Sequence, residues 1–135
     1  LSKYKNIKLV VINESELRYE FRDRTSEVGA LAKKLMKELN ISEMLVTSGR
    51  RGMTYYNKKI SKSKNLDAFS DYAIDKIGAG DTVLGFFSLM MQSKLSVELS
   101  LLISSLAARH SVRDIGNKNP FDKQKLMMGL NHLLK

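Results

Sequence analysis

The sequence has no cysteine and only two histidines among its 135 residues. Without thiolates it can form neither disulfides nor the cysteine-rich sites that hold structural zinc. His110 and His132 have no second histidine or serine partner at ligand or triad spacing. We therefore expect no zinc chemistry, and we interpret both histidines as structural or surface residues.

Long apolar runs are also missing. No stretch approaches the roughly 20 residues of a membrane span, and the start Leu1-Ser2-Lys3-Tyr4-Lys5 leads into no apolar signal region. We therefore expect a soluble, cytoplasmic chain with no membrane partner. The first residue is Leu and not Met, which suggests that the chain is part of a longer polypeptide.

Acidic residues are the minority, with 14 against 23 basic residues and a formal net charge of +9. Such an excess suits a polyanionic partner, but the basic residues are scattered and no aromatic residues are interleaved with them. We therefore expect no nucleic-acid partner. Attraction of nucleotide phosphates explains the charge more simply.

What is present predicts one α/β domain, because the chain is long enough for one ordinary core. Residues 8–12 form a short β-branched apolar run that predicts a buried parallel strand. Residues 44–47 predict a second strand, joined by Gly49-Arg50-Arg51-Gly52 to a third at 53–56 as a hairpin. The polar residues 58–65 are interpreted as a loop and residues 71–75 as a further strand.

Apolar residues at three- and four-residue steps predict the helices. An amphipathic helix covers 26–40, and residues 82–92, apolar nearly all round, predict a buried central helix. Ser96 is the expected N-cap of a helix that reaches about residue 113 and is ended by Gly116, and Pro120 precedes a last helix at about 122–134. Residues expected on the inner side of that last helix, or as core methionines, are Leu126, Met127, Leu130, Leu133, Leu134, Met90, Met91 and Met128.

The turn Asp75-Lys76-Ile77-Gly78-Ala79-Gly80-Asp81-Thr82 opens directly into the central helix. Gly78, Ala79 and Gly80 have little or no side chain, so their N–H groups can converge on an anion at a helix N-terminus. A carboxylate at such a place repels a phosphate, so its presence there is explained only if it takes part in the reaction. Asp81 is therefore a candidate for accepting a proton from a hydroxyl nucleophile.

Two further groups of residues lie where predicted strands end. Asn13 and Glu16 follow the first strand, where ligands gather in open α/β sheets. The alternative, which these residues taken alone favour, is that Asn13 or Ser15 caps a helix beginning near Glu16, with Glu16 in its first turn. Thr47, Ser48 and Gly49 lie at the end of the second strand and could approach a nucleotide. Arg50 and Arg51 are either phosphate contacts or solvated surface residues.

Taken together, these motifs resemble the ribokinase family of sugar and nucleoside kinases, also called the PfkB family. The resemblance is carried by Asp75-x-x-Gly78-Ala79-Gly80-Asp81-Thr82, by Asn13-x-x-Glu16, by Thr47-Ser48-Gly49 with Gly52, and by a helix ending at Gly116. It covers almost the whole chain but only the C-terminal half of a full-length member. It implies a ribokinase-like three-layer sandwich with helices packed on a mostly parallel sheet, whose N-terminal sugar-binding half and lid are outside residues 1–135.

The resemblance also implies roles for individual residues. Asp81 would be the catalytic base that deprotonates a sugar or sugar-phosphate hydroxyl, and Gly78, Ala79 and Gly80 would form the anion hole for the ATP γ-phosphate. Asn13 and Glu16 would support Mg²⁺, largely through water and phosphate oxygens. Asp75 would either assist a K⁺ or other monovalent cation or simply order the turn.

The resemblance also implies a strand end that contacts the nucleotide and a helix that forms the wall of the adenine pocket. Residues carried over as binding ATP are Thr47, Gly49, Gly52, Ser105, Ala108, Val112 and Gly116. The sequence motifs Gly80-Asp81-Thr82-Val83 and Arg113-Asp114-Ile115-Gly116-x-x-x-Pro120 look most like those of the kinases of heptose phosphates. The main alternative is a non-catalytic module that binds a nucleotide or sugar phosphate, and a homodimer is left open.

Overall fold

The computed structural model describes residues 4–68, 78–113 and 123–133. The predicted strand at 71–75, Asp75 itself, Gly116 and Pro120 lie outside these residues. The side chains of His110, Val112, Leu130, His132 and Leu133 are likewise outside what is described.

Four strands form one sheet in the described part of the chain. They are β1 (Leu9–Asn13), β2 (Glu43–Thr47), β3 (Met53–Asn57) and β4 (Ile60–Leu66), arranged in the order β1-β2-β3-β4. β1 and β2 are parallel, whereas β2–β3 and β3–β4 are antiparallel. The hairpin between β2 and β3 is thereby confirmed, and the described sheet is mixed, with one parallel pair among its three.

The prediction of a loop at 58–65 was wrong, because this segment is mostly the edge strand β4. Every residue from Ile60 to Asn65 is exposed, and within the described residues β4 pairs with β3 on one side only. Exposure on both faces removes the apolar alternation by which a strand is recognised. Its lysines, Lys62 and Lys64, suit an edge that should not pair with other chains.

The helices are α1 (Glu14–Phe21), α2 (Val28–Glu38), α3 (Ala79–Gln92), α4 (Val97–Arg113) and α5 (Lys123–Leu133), with a short 3₁₀ turn at Gly49–Arg51. α2, α4 and α5 match their predictions closely. Ser96 caps α4 as expected, since its Oγ accepts a hydrogen bond from the Leu99 N–H at 3.2 Å.

Helices cover both faces of the sheet, which makes three layers and confirms the three-layer α/β fold class, although the described strands form a mixed sheet and not the mostly parallel one that was expected. Val10, Ile12, Met44 and Val46 pack on one face against α1 and α2, where Leu17 and Leu35 are fully buried. The alternate residues of the same strands pack on the other face against α3 and α4. That second core contains Leu45, Met53, Tyr55, Val83, Phe87, Leu101 and Ala108.

The expectation that α3 is buried all round was wrong for the described chain. Val83 and Phe87 are fully buried, but Leu84 is 41% and Leu89 57% exposed on the other side. In α5, Leu126 is buried, whereas Met127 and Met128 are exposed and are not core residues here. None of the helices in the described residues is long and apolar enough to cross a membrane.

Candidate functional site

The carboxyl ends of the parallel strands β1 and β2 meet at one edge of the sheet. Asn13 is directly opposite Thr47 in the register of the two strands. Thr47 is 6% exposed and lies at the point where β2 turns into the 3₁₀ segment. The structure thus brings together Asn13, Glu16 and the segment 47–52, as the strand-end argument predicts.

Asn13 and Glu16 form a capping box at the start of α1. The Asn13 side chain accepts a hydrogen bond from the Glu16 N–H at 2.8 Å, and Glu16 Oε2 accepts one from the Asn13 N–H at 3.1 Å. The helix-cap reading of these residues is therefore correct. It does not remove their availability to a cation, because the cap uses only one carboxylate oxygen of Glu16.

Glu14 links the ends of the first two strands. It is 9% exposed, accepts a hydrogen bond from Arg18 Nε at 2.9 Å, and is paired with Arg51 from the turn after β2. Arg18 also donates to the Ser26 carbonyl at 2.9 Å. Glu14 therefore ties α1, the segment before α2 and the turn at 49–51 to one buried carboxylate.

The charge of Glu14 is maintained by its partners. Burial by itself would raise the pKa of this carboxyl, but hydrogen bonds from Arg51, Arg18 and Ser48 together outweigh that effect. The pKa of Glu14 is consequently held below its usual value. Arg51 is engaged in this pair, and its neighbour in the turn, Arg50, is exposed.

The turn at 49–52 depends on two glycines. Gly49 has φ +56°, and Gly52 has φ +82°, a region that side chains other than glycine rarely occupy. A Cβ on Gly52 would lie 2.0 Å from the Leu66 carbonyl oxygen. Gly52 is thus explained by close packing against the end of β4, independently of any nucleotide.

The first turn of α3 carries the residues expected to hold an anion. Gly78 adopts a left-handed conformation with φ 93° and ψ −16° at the N-cap, and no side chain among the described residues caps the helix there. Gly80 and Asp81 are exposed, whereas Ala79 is buried and fixes the turn in the core. Thr82 donates from both its N–H and its Oγ1 to the Gly78 carbonyl, at 3.1 Å each.

A helix start of this form has free N–H groups and the positive end of the helix dipole. It can therefore bind an anion through backbone groups alone. The exposed carboxylate of Asp81 lies in the same turn. It can accept a proton from solvent or from a bound hydroxyl.

The residues assigned to the adenine wall lie on α4. Ser105 is 3% and Ala108 0% exposed, and Ala108 belongs to the core beneath the sheet. Val112 is in the same helix. Their assignment to the nucleotide stays a prediction, as does that of Gly116.

The donor set for a metal is sparse. Among the described residues, no three His, Cys, Asp or Glu side chains group closely enough to enclose a metal ion. One carboxylate and one carboxamide, as in Glu16 and Asn13, nevertheless fit a cation such as Mg²⁺ that keeps water and phosphate oxygens as most of its ligands.

The sequence pattern does not single out Glu14, although one signal for it is present. Glu14 and Arg18 are four residues apart, a spacing that places them side by side on a helix. Arg51 is 37 positions away from Glu14, so its contribution follows only from the fold.

Solved structures identify the fold class. The chain resembles a ribokinase from Arabidopsis thaliana complexed with ribose and ATP, with a TM-score of 0.77 and 22% identity over 92% of this chain and 41% of that one. It also resembles the phosphofructokinase-2 of Escherichia coli in complex with potassium, with a TM-score of 0.76 and 17% identity over 97% of this chain and 42% of that one. The fold is therefore that of a ribokinase-like α/β protein.

Sequence comparison identifies the family. Residues 2–124 match the model of the pfkB family of carbohydrate kinases, and the chain belongs to that family. A curated relative, the bifunctional protein HldE of Campylobacter curvus, is 31% identical over 119 residues, which are 86% of this chain and 25% of the relative. A relative described as an uncharacterized sugar kinase of Buchnera aphidicola is 32% identical over 85 residues, 63% of this chain and 27% of that protein. The chain thus spans about a quarter of the length of the curated relatives that it matches.

Proposed function

We propose that this chain is the nucleotide-binding and catalytic part of an enzyme that transfers a phosphoryl group from ATP to a hydroxyl of a sugar or sugar phosphate. Membership of a carbohydrate kinase family supports the reaction class. The observation that carries the proposal is the first turn of α3. There an exposed carboxylate, Asp81, lies directly beside a glycine-rich helix start that no side chain among the described residues caps.

Each part of this turn has a defined task in the reaction. The N–H groups of Gly78, Ala79 and Gly80 would stabilise the negative charge on the γ-phosphate oxygens. Asp81 would take the proton of the acceptor hydroxyl as its oxygen bonds to the γ-phosphorus. The bond between that phosphorus and the β,γ-bridging oxygen breaks, and ADP leaves with the electron pair.

The remaining residues would position the nucleotide. Asn13 and Glu16 would hold Mg²⁺, which neutralises phosphate charge when bound, through water and phosphate oxygens. Asp75 would support K⁺, a proposal that the potassium-bound phosphofructokinase-2 makes reasonable. Residues proposed to contact ATP are Thr47, Gly49, Gly52, Ser105, Ala108, Val112 and Gly116.

The acceptor is proposed only as a class. The relative described as a sugar kinase supports a carbohydrate hydroxyl. The likeness of 80–83 and 113–120 to heptose-phosphate kinases favours a sugar phosphate within that class. Sugar-binding residues would come from the N-terminal half and lid of the complete kinase, which we place outside residues 1–135.

A second candidate is a non-catalytic module that binds a nucleotide or a sugar phosphate. The exposed Asp81 speaks against it, because a pure anion site is weakened by a neighbouring carboxylate.

The test is Asp81→Asn in the complete kinase, assayed for phosphoryl transfer from MgATP to a panel of sugars and sugar phosphates. We expect turnover to fall by about a hundredfold or more, with the affinity for ATP nearly unchanged, because only proton transfer is lost. Asp67→Asn is the matched control, since Asp67 is an exposed aspartate on a different segment. Full turnover in Asp81→Asn would reject the base, and nucleotide binding without turnover in the unsubstituted kinase would favour the second candidate.

A further inference from the structure

A pocket of about 330 Å³ lies between the C-terminal half of α2 and the β3–β4 hairpin. It is at the opposite end of β2 from Thr47, because Asn57, which lines it, pairs with Glu43 at the start of that strand. Five residues of strand separate the two ends by roughly 13 Å. The pocket is thus separate from the proposed phosphoryl-transfer site, and its volume is within the usual range for small-molecule sites.

The pocket has an apolar base. Met36 and Tyr56 are 5% and 8% exposed, and both belong to the core between α2 and the sheet. Ile60, at the start of β4, is 51% exposed and also lines the pocket. The apolar surface of Ile60, which is otherwise exposed to water, lies beside the buried Tyr56 and Met36. A ring or aliphatic group of a ligand could bury this surface.

The rim of the pocket is cationic. Lys33, Lys37 and Lys58 line it, and none of its lining residues within the described chain carries a carboxylate. Lys33 and Lys37 are one helical turn apart on α2, a like-charge arrangement that slightly destabilises a free helix. Neither lysine has an ion-pair partner in the described segments. By contrast, Lys64 on strand β4 is paired with Glu98. An anion held between Lys33 and Lys37 would remove their repulsion.

Lys58 is held in place at this rim. Its Nζ donates to Asn40 Oδ1 at 2.7 Å, and its backbone N–H donates to the Ser42 carbonyl at 2.9 Å. An ammonium group has three donors, so two remain for a ligand. Ser61 and Ser63 add hydroxyl groups along β4.

We infer that this pocket binds a small organic phosphate monoester. Its phosphate would contact Lys33, Lys37 and Lys58, and its organic part would lie against Met36, Tyr56 and Ile60. Three ammonium groups suit a dianion better than a singly charged carboxylate. The site does not depend on the proposed phosphoryl transfer, since it shares no residue with it.

The probe is phenyl phosphate, titrated into the 135-residue chain and followed by backbone amide NMR shifts. We expect saturable shifts at residues 56–63 and on α2. Inorganic phosphate and phenol, which each supply half of the ligand, should bind at least about tenfold more weakly. Shifts confined to residues 78–82, or equal affinity for inorganic phosphate, would overturn the inference.

Two double variants of equal charge separate this site from general attraction to a basic protein. K33Q/K37Q should weaken phenyl phosphate by about tenfold or more, because it removes two charges at the rim. K59Q/K62Q removes two exposed lysines that do not line the pocket, and should change the affinity less than about twofold. Equal weakening by both variants would refute a specific site. Ile60→Ser should weaken phenyl phosphate and leave inorganic phosphate unaffected, and an unchanged affinity for phenyl phosphate would reject the apolar contact.

Discussion

Gly52 gives the sharpest test of the packing at the candidate site. In Gly52→Ala the new Cβ would lie 2.0 Å from the Leu66 carbonyl oxygen and 2.8 Å from the Ala68 nitrogen. Carbon and oxygen atoms normally approach no closer than about 3.3 Å. Both contacts are with backbone, so no side-chain rotation relieves them. The turn after β2 would have to separate from the end of β4.

The magnitude follows from two contributions. Gly52 has φ +82° and ψ −138°, a conformation that costs a non-glycine residue about 1–3 kcal/mol. The overlap with Leu66 adds a displacement of strand ends, so we expect a total loss above about 4 kcal/mol. That is a large part of the roughly 5–15 kcal/mol by which domains are usually stable.

Gly49→Ala is the matched control, because it makes the same chemical change in the same turn. Gly49 also has a positive φ, +56°, but a Cβ there would meet no atom of the described residues within 4 Å. We expect it to cost only about 1–2 kcal/mol from backbone strain. Both variants alter the unfolded chain equally, so their difference reports the contact with Leu66 together with the smaller difference in backbone strain between the two sites.

Urea unfolding followed by far-UV circular dichroism measures both free energies, and it does not require the tryptophan that the chain lacks. A variant that does not fold at all agrees with the expectation for Gly52→Ala. If the two variants differ by less than about 1 kcal/mol, the close approach of the turn to β4 is wrong.

Three further predictions concern stability. Glu14→Gln should lower the free energy of unfolding by about 1–3 kcal/mol at pH 7, since it leaves two arginines without their shared carboxylate. Because folding lowers the pKa of Glu14, the difference in free energy of unfolding between the wild type and Glu14→Gln should be present above pH 4.5, the ordinary pKa of the group, and should shrink as the pH falls below that value. A constant difference in urea titrations from pH 3 to 7 would contradict the pairing. Hydrogen bonds from the Ser26 side chain and from the Ser26 and Thr25 backbones lower the pKa of Asp23 from 3.8 to about 2. The wild type should therefore lose stability as the pH falls between these two values, and Asp23→Asn should lose less stability over the same range. Phe87→Ala should cost about 3–5 kcal/mol by calorimetry, because the ring is fully buried and lies 5.6 Å from that of Tyr55; a loss below about 1 kcal/mol would show that α3 does not pack there.

The order of elements could be predicted because each buried element has a clear pattern. The continuous apolar runs of β1 and β2 indicate strands covered on both faces, and the two cores on opposite sides of the sheet confirm this. The edge strand β4 could not be predicted in this way. Its residues 61–65 are polar because water reaches both faces, and a hairpin partner, β3, supplies its hydrogen bonds.

The extent of burial was harder to predict than the helices themselves. The apolar surface of α3 indicates what the helix would bury, but a pattern does not show whether the described chain covers it. Leu84 and Leu89 are exposed, which the pattern does not predict, whereas Val83 and Phe87 on the opposite side of the helix are buried as expected. Similarly, Arg51 could be recognised as a turn residue, but its pairing with Glu14 requires the two strand ends to be neighbours.

The capping box at Asn13 and Glu16 bears on how the proposed metal site would work. A cap and a metal ligand are not exclusive, because the cap occupies Oε2 of Glu16 and a carboxylate has a second oxygen. The cap holds the side chain in one position before any ligand arrives, so less conformational entropy is lost on binding. Glu14, the neighbouring acid, has its charge compensated by Arg18 and Arg51 and therefore repels an incoming phosphate less. Of these two acids on the first turn of α1, the buried one, Glu14, thus stabilises the strand ends, and the exposed one, Glu16, would be available to the proposed cation.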